Sequence, residues 1–197
     1  MSKQLDHWTG EEGREYAARG ENNLTAPRVH MWEHIINAVP ELEGLSTLEV
    51  GCNKGYNLKI LQTWGHDVVG IDPVGKIPER FNEGILINKG VAEDIKFGDD
   101  SFDFVFSCGV LIHIHPDNQL KAIREMVRVA KKYIAVIEYF DANLTSVPYR
   151  GKNDLLWKRD YGSLVMNEFP LLNCVAYGFF WKRLTGLDNL TYWVFEK

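Results

Sequence analysis

The run Thr47-Leu48-Glu49-Val50-Gly51-Cys52-Asn53-Lys54-Gly55-Tyr56-Asn57 constrains the fold of this chain more than any other segment. An apolar strand runs into a loop bent by two glycines, and the loop opens a helix. Because Gly51 and Gly55 carry no Cβ, a ligand can lie against the backbone there, and the first N–H groups of the helix point at it. Several cofactor classes use such a unit. The residues that follow it must decide between them.

The rest of the chain alternates strands and helices in the same way. A helical pattern from Val29 to Val39 ends at Pro40, and Ser46–Val50 reads as the first strand, Tyr56–Trp64 as a helix and Asp67–Ile71 as a second strand. Those last three form a βαβ unit. A short helix at Ile77–Phe81, strands at Ile85–Asn88 and Phe102–Phe106, a helix at Asp117–Ala130 and a strand at Tyr133–Tyr139 follow. This alternation predicts a parallel sheet covered on both faces. Two further strands, Leu172–Trp181 and Thr191–Phe195, are joined by a link too short for a helical crossover, so they are predicted to pair antiparallel.

At 197 residues and 45% hydrophobic content, one domain can bury enough surface to need neither disulfides nor a metal. Cys52, Cys108 and Cys174 stand far apart, with no C-x-x-C pair, and read as reduced thiols. The N-terminal residues lack the apolar core of a secretion signal and no run is long enough to span a bilayer, so a cytoplasmic enzyme without a membrane partner is expected. A net charge of −5 works against attraction to phosphate backbones, and nucleic acid is not the expected partner.

Ligands of open α/β sheets bind beyond the carboxyl ends of the strands. The first strand offers Glu49 and the glycine loop, and the second offers Asp72 and Pro73, with Asp72 placed where a carboxylate can accept both hydroxyls of a ribose. The loop is not a dinucleotide fingerprint. Asn53 stands where the second glycine of G-x-G-x-x-G would be and Tyr56 where the third would be, so a pyrophosphate fits poorly and a cofactor carrying an amino acid fits better.

With Glu49–Gly55, Val69-Gly70-Ile71-Asp72, the run Phe97–Ser107 and Val110–Ile114, residues 46 to 140 resemble the class I S-adenosylmethionine-dependent methyltransferases. The resemblance implies a single-domain, Rossmann-like α/β fold. Its seven-stranded sheet would be mostly parallel with an antiparallel C-terminal strand, under a helical N-terminal cap. One domain is expected over 1–197, divided into the cap (1–45), a cofactor core (46–140), a substrate-covering insertion (141–170) and a terminal strand pair (171–197). Outside the core, Trp8–Tyr16, His113–Asn118, Val147–Gly151 and Trp157–Tyr161 resemble the pseudaminic acid biosynthesis-associated methylases. That implies a small anionic acceptor related to nonulosonic sugars or their nucleotide conjugates. A macromolecular acceptor, or a noncatalytic module that keeps the cofactor fold, are the alternatives.

Residue by residue, the resemblance implies that Gly51, Cys52, Asn53 and Gly55 pass under the methionine part of the cofactor, with Glu49 orienting the loop or the ammonium. Asp72 would hold the ribose, Ala92 or Glu93 the adenine, and Ser107, Cys108 and Val110 would line the far side. Tyr16 and Arg19 are candidates to close over the cofactor carboxylate. His113 is the candidate general base, since a hydroxyl acceptor must lose its proton during attack. Between Pro148 and Tyr161 the acidic chain turns locally basic, and Arg150, Lys158 and Arg159, with Tyr139 and Tyr149, are the candidate grip on an anionic substrate.

Overall fold

The computed structural model describes residues 3–18, 25–74 and 85–197, with the side chains of 16–18 set aside. The helix predicted at Ile77–Phe81 lies outside these residues. The central sheet contains β1 (Ser46–Val50), β2 (Asp67–Asp72), β3 (Leu86–Lys89), β4 (Phe102–Cys108), β5 (Ala130–Tyr139), β8 (Asn173–Phe180) and β9 (Leu190–Glu196). Their order is β3-β2-β1-β4-β5-β9-β8. All pairs as far as β4–β5 are parallel, and β9 runs antiparallel to both β5 and β8. A small separate ribbon pairs β6 (Thr145–Ser146) with β7 (Trp157–Lys158).

The near-continuous apolar runs of β4 and β5 are what strands covered on both faces require. Phe104, Phe106, Tyr133, Ala135 and Ile137 turn to one face. There they meet Met31, Trp32 and Ile35 of α3 (Ala26–Ala38) and Leu58 and Leu61 of α4 (Tyr56–Thr63). Val105, Ile134 and Val136 turn to the other, against Ala122, Ile123 and Met126 of α5 (Pro116–Val129) and Tyr161 and Val165 of α6 (Tyr161–Glu168). Pro116 occupies the first turn of α5, where its missing N–H is harmless. The preceding cap is His115, whose Nδ1 accepts from Asp117 N, and not the Asp117 side chain.

The polar N-terminus, without a strong apolar period, forms two short helices, α1 (Lys3–Thr9) and α2 (Glu11–Ala18). Gly10 and Gly13 allow the corner between them. A Cβ on Gly13 would fall 1.8 Å from the Trp8 carbonyl oxygen. The basic insertion holds α6 and the β6–β7 ribbon, and a last short helix, α7 (Lys182–Thr185), fills the link between β8 and β9.

Strand order reverses between β1 and β4, since the chain moves outward from β1 to β2 and β3 and then crosses back to β4. A crevice therefore opens beyond the carboxyl ends of those two strands. Its floor depends on Gly70 of β2, where an added Cβ would lie 2.4 Å from the Cys52 sulfur and 2.9 Å from Leu58 Cδ1. Gly70→Ala should cost roughly 1–3 kcal/mol of stability through overpacking, as read from urea midpoints. Combined with Cys52→Ala it should cost less than the sum of the single changes; strict additivity would show that the two positions do not press on one another.

Candidate active site

Gly51, Asn53 and Gly55 all have left-handed backbone, with φ of 75°, 48° and 73°. Gly51 N and Cys52 N both donate to the Ile71 carbonyl, at 2.8 and 3.0 Å, folding the loop back over the end of β2. Asp72 then clamps it: Oδ2 accepts from Asn53 N at 2.9 Å and Oδ1 from Val74 N at 2.9 Å. This bracing of Asn53 in a conformation costly for a residue with a side chain was not legible from spacing. Gly51 is needed twice over, because a Cβ there would also fall 2.5 Å from Val110 Cγ2.

Glu49, from the end of β1, is buried. Its Oε1 accepts from Asn57 Nδ2 at 2.6 Å, and Asn57 Oδ1 in turn accepts from Arg28 at 2.7 Å and from Trp32 Nε1 at 3.0 Å. Oε2 is buried with no hydrogen-bond partner among the described residues. Burial, partly offset by Asn57 and Arg28, pushes the Glu49 carboxyl up to about 8.

Glu138, fully buried at the end of β5, organises the opposite wall. Its carboxylate accepts from Val110 N and Leu111 N at 3.0 and 2.9 Å, more weakly from Ile112 N at 3.5 Å, and from the Ser107 hydroxyl at 3.3 Å. Burial pushes it up to about 7 against those donors. The loop so held carries Val110, His113 and Ile114 over the crevice. His113 Nδ1 donates to the Leu155 carbonyl at 2.7 Å, which fixes the tautomer and leaves Nε2 as the acceptor. Burial takes this imidazole down to about 4, so it is neutral at pH 7.

The resulting cleft, about 1210 Å³ with its open mouth, brings together Glu49, Gly51, Cys52, Asn53, Asp72, Pro73, Ala92, Glu93, Cys108, Val110 and His113 of the predicted residues. Gly90 and Val91 line it as well. Burial raises the Cys108 thiol to about 12 and the Cys52 thiol well above its ordinary value, so neither is a thiolate. Gln4, Leu5, Trp8, Gly13, Arg28 and Asn57 also line the cleft, and sequence reasoning missed them. Asn57 and Glu138 had a signal, each being a polar residue inside an otherwise apolar element. Trp8 stood in a recognised motif with no site role attached to it, and Arg28 had no signal, because only tertiary packing brings α1 and α3 here.

Other predicted residues stand elsewhere. Ser107 is fully buried, its hydroxyl bonded to Glu138, and does not line the cleft. Gly55 sits behind the loop at the start of α4, facing Ile87. Arg19 and the Tyr16 side chain lie outside the described residues. The basic segment does not form one patch. Lys158 lies over the Tyr139 ring, the Tyr139 hydroxyl donates to Asp188 at 2.8 Å, and Arg159 donates to Gln119 at 3.3 Å. Tyr149 and Arg150 do approach the site, lining a second groove with His7, Trp8, Glu12 and Lys152. Trp8 stands between the two recesses, its ring 4.7 Å from His113 and 6.2 Å from Tyr149. Gln4 donates to the Asp154 carbonyl at 3.1 Å and Glu12 pairs with Lys152, so α1 and α2 are fastened to the insertion.

Among the described residues no group of three or more His, Cys, Asp or Glu side chains could hold a metal, and no helix is long and apolar enough to cross a membrane.

A glycine loop, a strand-end carboxylate and a cleft at the reversal point of a 3-2-1-4-5-9-8 sheet are the features of a class I S-adenosylmethionine-dependent methyltransferase. Residues 48–151, more than half of the chain, match the methyltransferase domain family, and the chain belongs to that family. A tRNA U34 carboxymethyltransferase of Shewanella halifaxensis is 30% identical over 127 residues, which cover 59% of this chain and 38% of that protein. The chain spans about two fifths of the length of the curated relatives it matches. Among solved structures, the fold resembles the 1,6-didemethyltoxoflavin-N1-methyltransferase of Burkholderia thailandensis, determined with its substrate and S-adenosylhomocysteine. The TM-score is 0.71 at 15% identity, over 98% of this chain and 84% of that one. It also resembles an S-adenosylmethionine-dependent methyltransferase of Leishmania major, with a TM-score of 0.74 at 17% identity, over 98% and 81%. The expectation that nucleic acid is not a partner fails on the tRNA-modifying relatives. Net charge averages over the whole surface and says little about one local contact.

The two buried carboxyls make stability depend on pH in a definite direction. Each keeps its proton in the folded state to about 7 or 8, whereas the unfolded chain loses it near the ordinary carboxyl value of 4.5. The folded state thus binds more protons in that window, and stability falls as pH rises through it. His66 and His113, held down at about 4 by burial, oppose this only below 6.5. Urea midpoints should therefore decline from pH 6.5 to 8, and Glu49→Gln should flatten the decline; an unchanged slope would remove Glu49 as a source.

Proposed function

We propose that this enzyme transfers the methyl group of S-adenosylmethionine to an anionic small molecule in the cytoplasm, a nonulosonic sugar, its nucleotide conjugate or a precursor. The observation that carries the cofactor half is the buried, unpartnered Oε2 of Glu49 facing into the cleft. A buried carboxyl oxygen left without a partner is costly, and a ligand ammonium beside it would favour the charged form, draw off the proton and satisfy that oxygen. Arg28, beside Asn57, suits the carboxylate of the same amino-acid end. Asp72 stands at the end of β2, where it can meet ribose hydroxyls, and the segment from Gly90 to Glu93 lines the cleft where the base would lie. The left-handed loop lets that ligand approach the backbone.

When bound, the cofactor supplies a methyl group on a sulfonium, whose C–S bond breaks as the acceptor attacks. The protein's share is then alignment, exclusion of water and proton removal. Val110, Ile114, Leu5 and Trp8 provide apolar walls. His113, neutral and held by Leu155, offers Nε2 to an acceptor hydroxyl and takes its proton. Tyr149 and Arg150 bear on the acceptor's ring and its negative charge, and the 141–170 insertion together with α1 covers it. The pseudaminic acid reading of the acceptor rests on the motifs in those two segments.

A second reading, a nucleic-acid acceptor, is favoured by the tRNA U34 carboxymethyltransferases among the relatives of this chain. A homocysteine-release screen over nonulosonic acids, nucleotide sugars, amino-sugar precursors and bulk tRNA separates the two, since turnover with tRNA alone would overturn the sugar reading. Asp72→Ala should weaken S-adenosylhomocysteine binding at least tenfold, about 1.4 kcal/mol, by calorimetric titration, and unchanged affinity would remove Asp72 from the site. His113→Gln should lower kcat by roughly 10²–10⁴ with cofactor affinity retained. Arg150→Ala should raise the acceptor KM; an unaltered KM would retire the proposed grip.

A further inference from the structure

The outer edge of the sheet carries a feature that methyl transfer does not use. β8 is the terminal strand, bonded on one side to β9 and on the other to nothing in the sheet. Its sequence, Asn173-Cys174-Val175-Ala176-Tyr177-Gly178-Phe179-Phe180, holds no charge and no proline. Edge strands are normally protected by lysines, prolines, inward charges or extreme shortness, because their open N–H and C=O groups invite another strand. At eight residues, β8 has none of these protections; its one irregularity is the register shift against β9 between Cys174 and Ala176, and the edge is regular from Ala176 to Phe180.

The side chains repeat the message. Burial alternates along the strand, and the residues turned outward are Val175, Tyr177 and Phe179, at 39%, 76% and 57% exposure. Leu171 at 91%, Trp181 at 51% and Leu184 at 83% flank its two ends. The other face is used: Phe180 packs against Tyr192 and His34, and Gly178 is small because a Cβ would fall 2.5 Å from the Tyr192 ring. With whole side chains at roughly 150–250 Å² for the aromatics, the six exposed residues present on the order of 700 Å². A specific interface of standard size buries about 800 Å² per partner.

We propose that β8 pairs antiparallel with β8 of a second copy of this chain, joining two seven-stranded sheets across a two-fold axis at Tyr177. An antiparallel pair sets directly opposed residues on the same face. With the axis at Tyr177, that residue meets its own copy and Val175 meets the partner's Phe179, so the outward row of each strand covers the other. Asn173 would oppose the partner's Trp181, extending the contact to both ends. Cross-strand pairs of aromatic and β-branched side chains of this kind stabilise a sheet. Charge selects the same occupant. The chain carries a net −5 and repels its copy over most of its surface, and this uncharged edge is where two copies approach without that penalty.

Sedimentation equilibrium on the full chain should give a dimer at micromolar concentration. Tyr177→Lys puts two like charges face to face on the axis and should weaken dimerisation by roughly 100-fold or more, with the circular dichroism spectrum and S-adenosylhomocysteine affinity unchanged. Should that variant fail to fold, Tyr177→Cys provides a second readout: under mild oxidation it should form a covalent dimer on a non-reducing gel, while the same change at the exposed Lys121 on α5 should not. A monomeric wild type, or a Tyr177→Lys dimer as tight as the wild type, overturns the proposal.

Discussion

The cofactor side of the sheet hangs on the Glu138 carboxylate. A strand as apolar as β5 has no packing reason to end in a carboxyl group, and burying one without partners is expensive. Here it gathers the N–H groups of Val110 and Leu111, the more distant N–H of Ile112 and the Ser107 hydroxyl, groups that the chain's exit from β4 would otherwise leave unbonded. The polar atoms satisfy each other, and the loop acquires one shape. Because that loop carries Val110 over Gly51 and His113 toward Trp8, the width of the cleft follows from a group that never enters it.

Two other carboxylates divide the remaining work. Asp72 is bonded to the backbone on both oxygens and fixes the floor of the crevice, whereas Glu49 is bonded on one oxygen and leaves the other uncommitted. The first is a structural brace, and the second is a buried carboxyl with one oxygen unbonded among the described residues. Stability is spent at Glu49 in the form of a carboxyl that holds its proton far above its usual range.

Much of this architecture was legible in the sequence, for identifiable reasons. Strands β1, β2, β4, β5 and β9 and helices α3, α4 and α5 were placed to within a few residues because each buries a long apolar face, and period alone reveals such elements. Helices α1, α2 and α6 were not, since they are short and take their stability from what they pack on. The glycine loop and Asp72 could be found because they sit at fixed distances along the chain. Adjacency in sequence says less about where the side chains of the basic segment go. The fold sends Lys158 to Tyr139, Arg159 to Gln119 and Arg150 toward the cleft.

The order β5-β9-β8 has a consequence for how the chain assembles. The strand made last lies inside the sheet, and the strand made before it lies outside, so β8 has no place to dock until β9 has threaded in beside β5. During synthesis the parallel half of the sheet can condense early, while the aromatic ribbon of β8 stays exposed until β9 has been made. A chain interrupted after Phe180 would thus hold the parallel strands in place with β8 unanchored. Whether the outermost strand of this sheet is anchored is decided by β9.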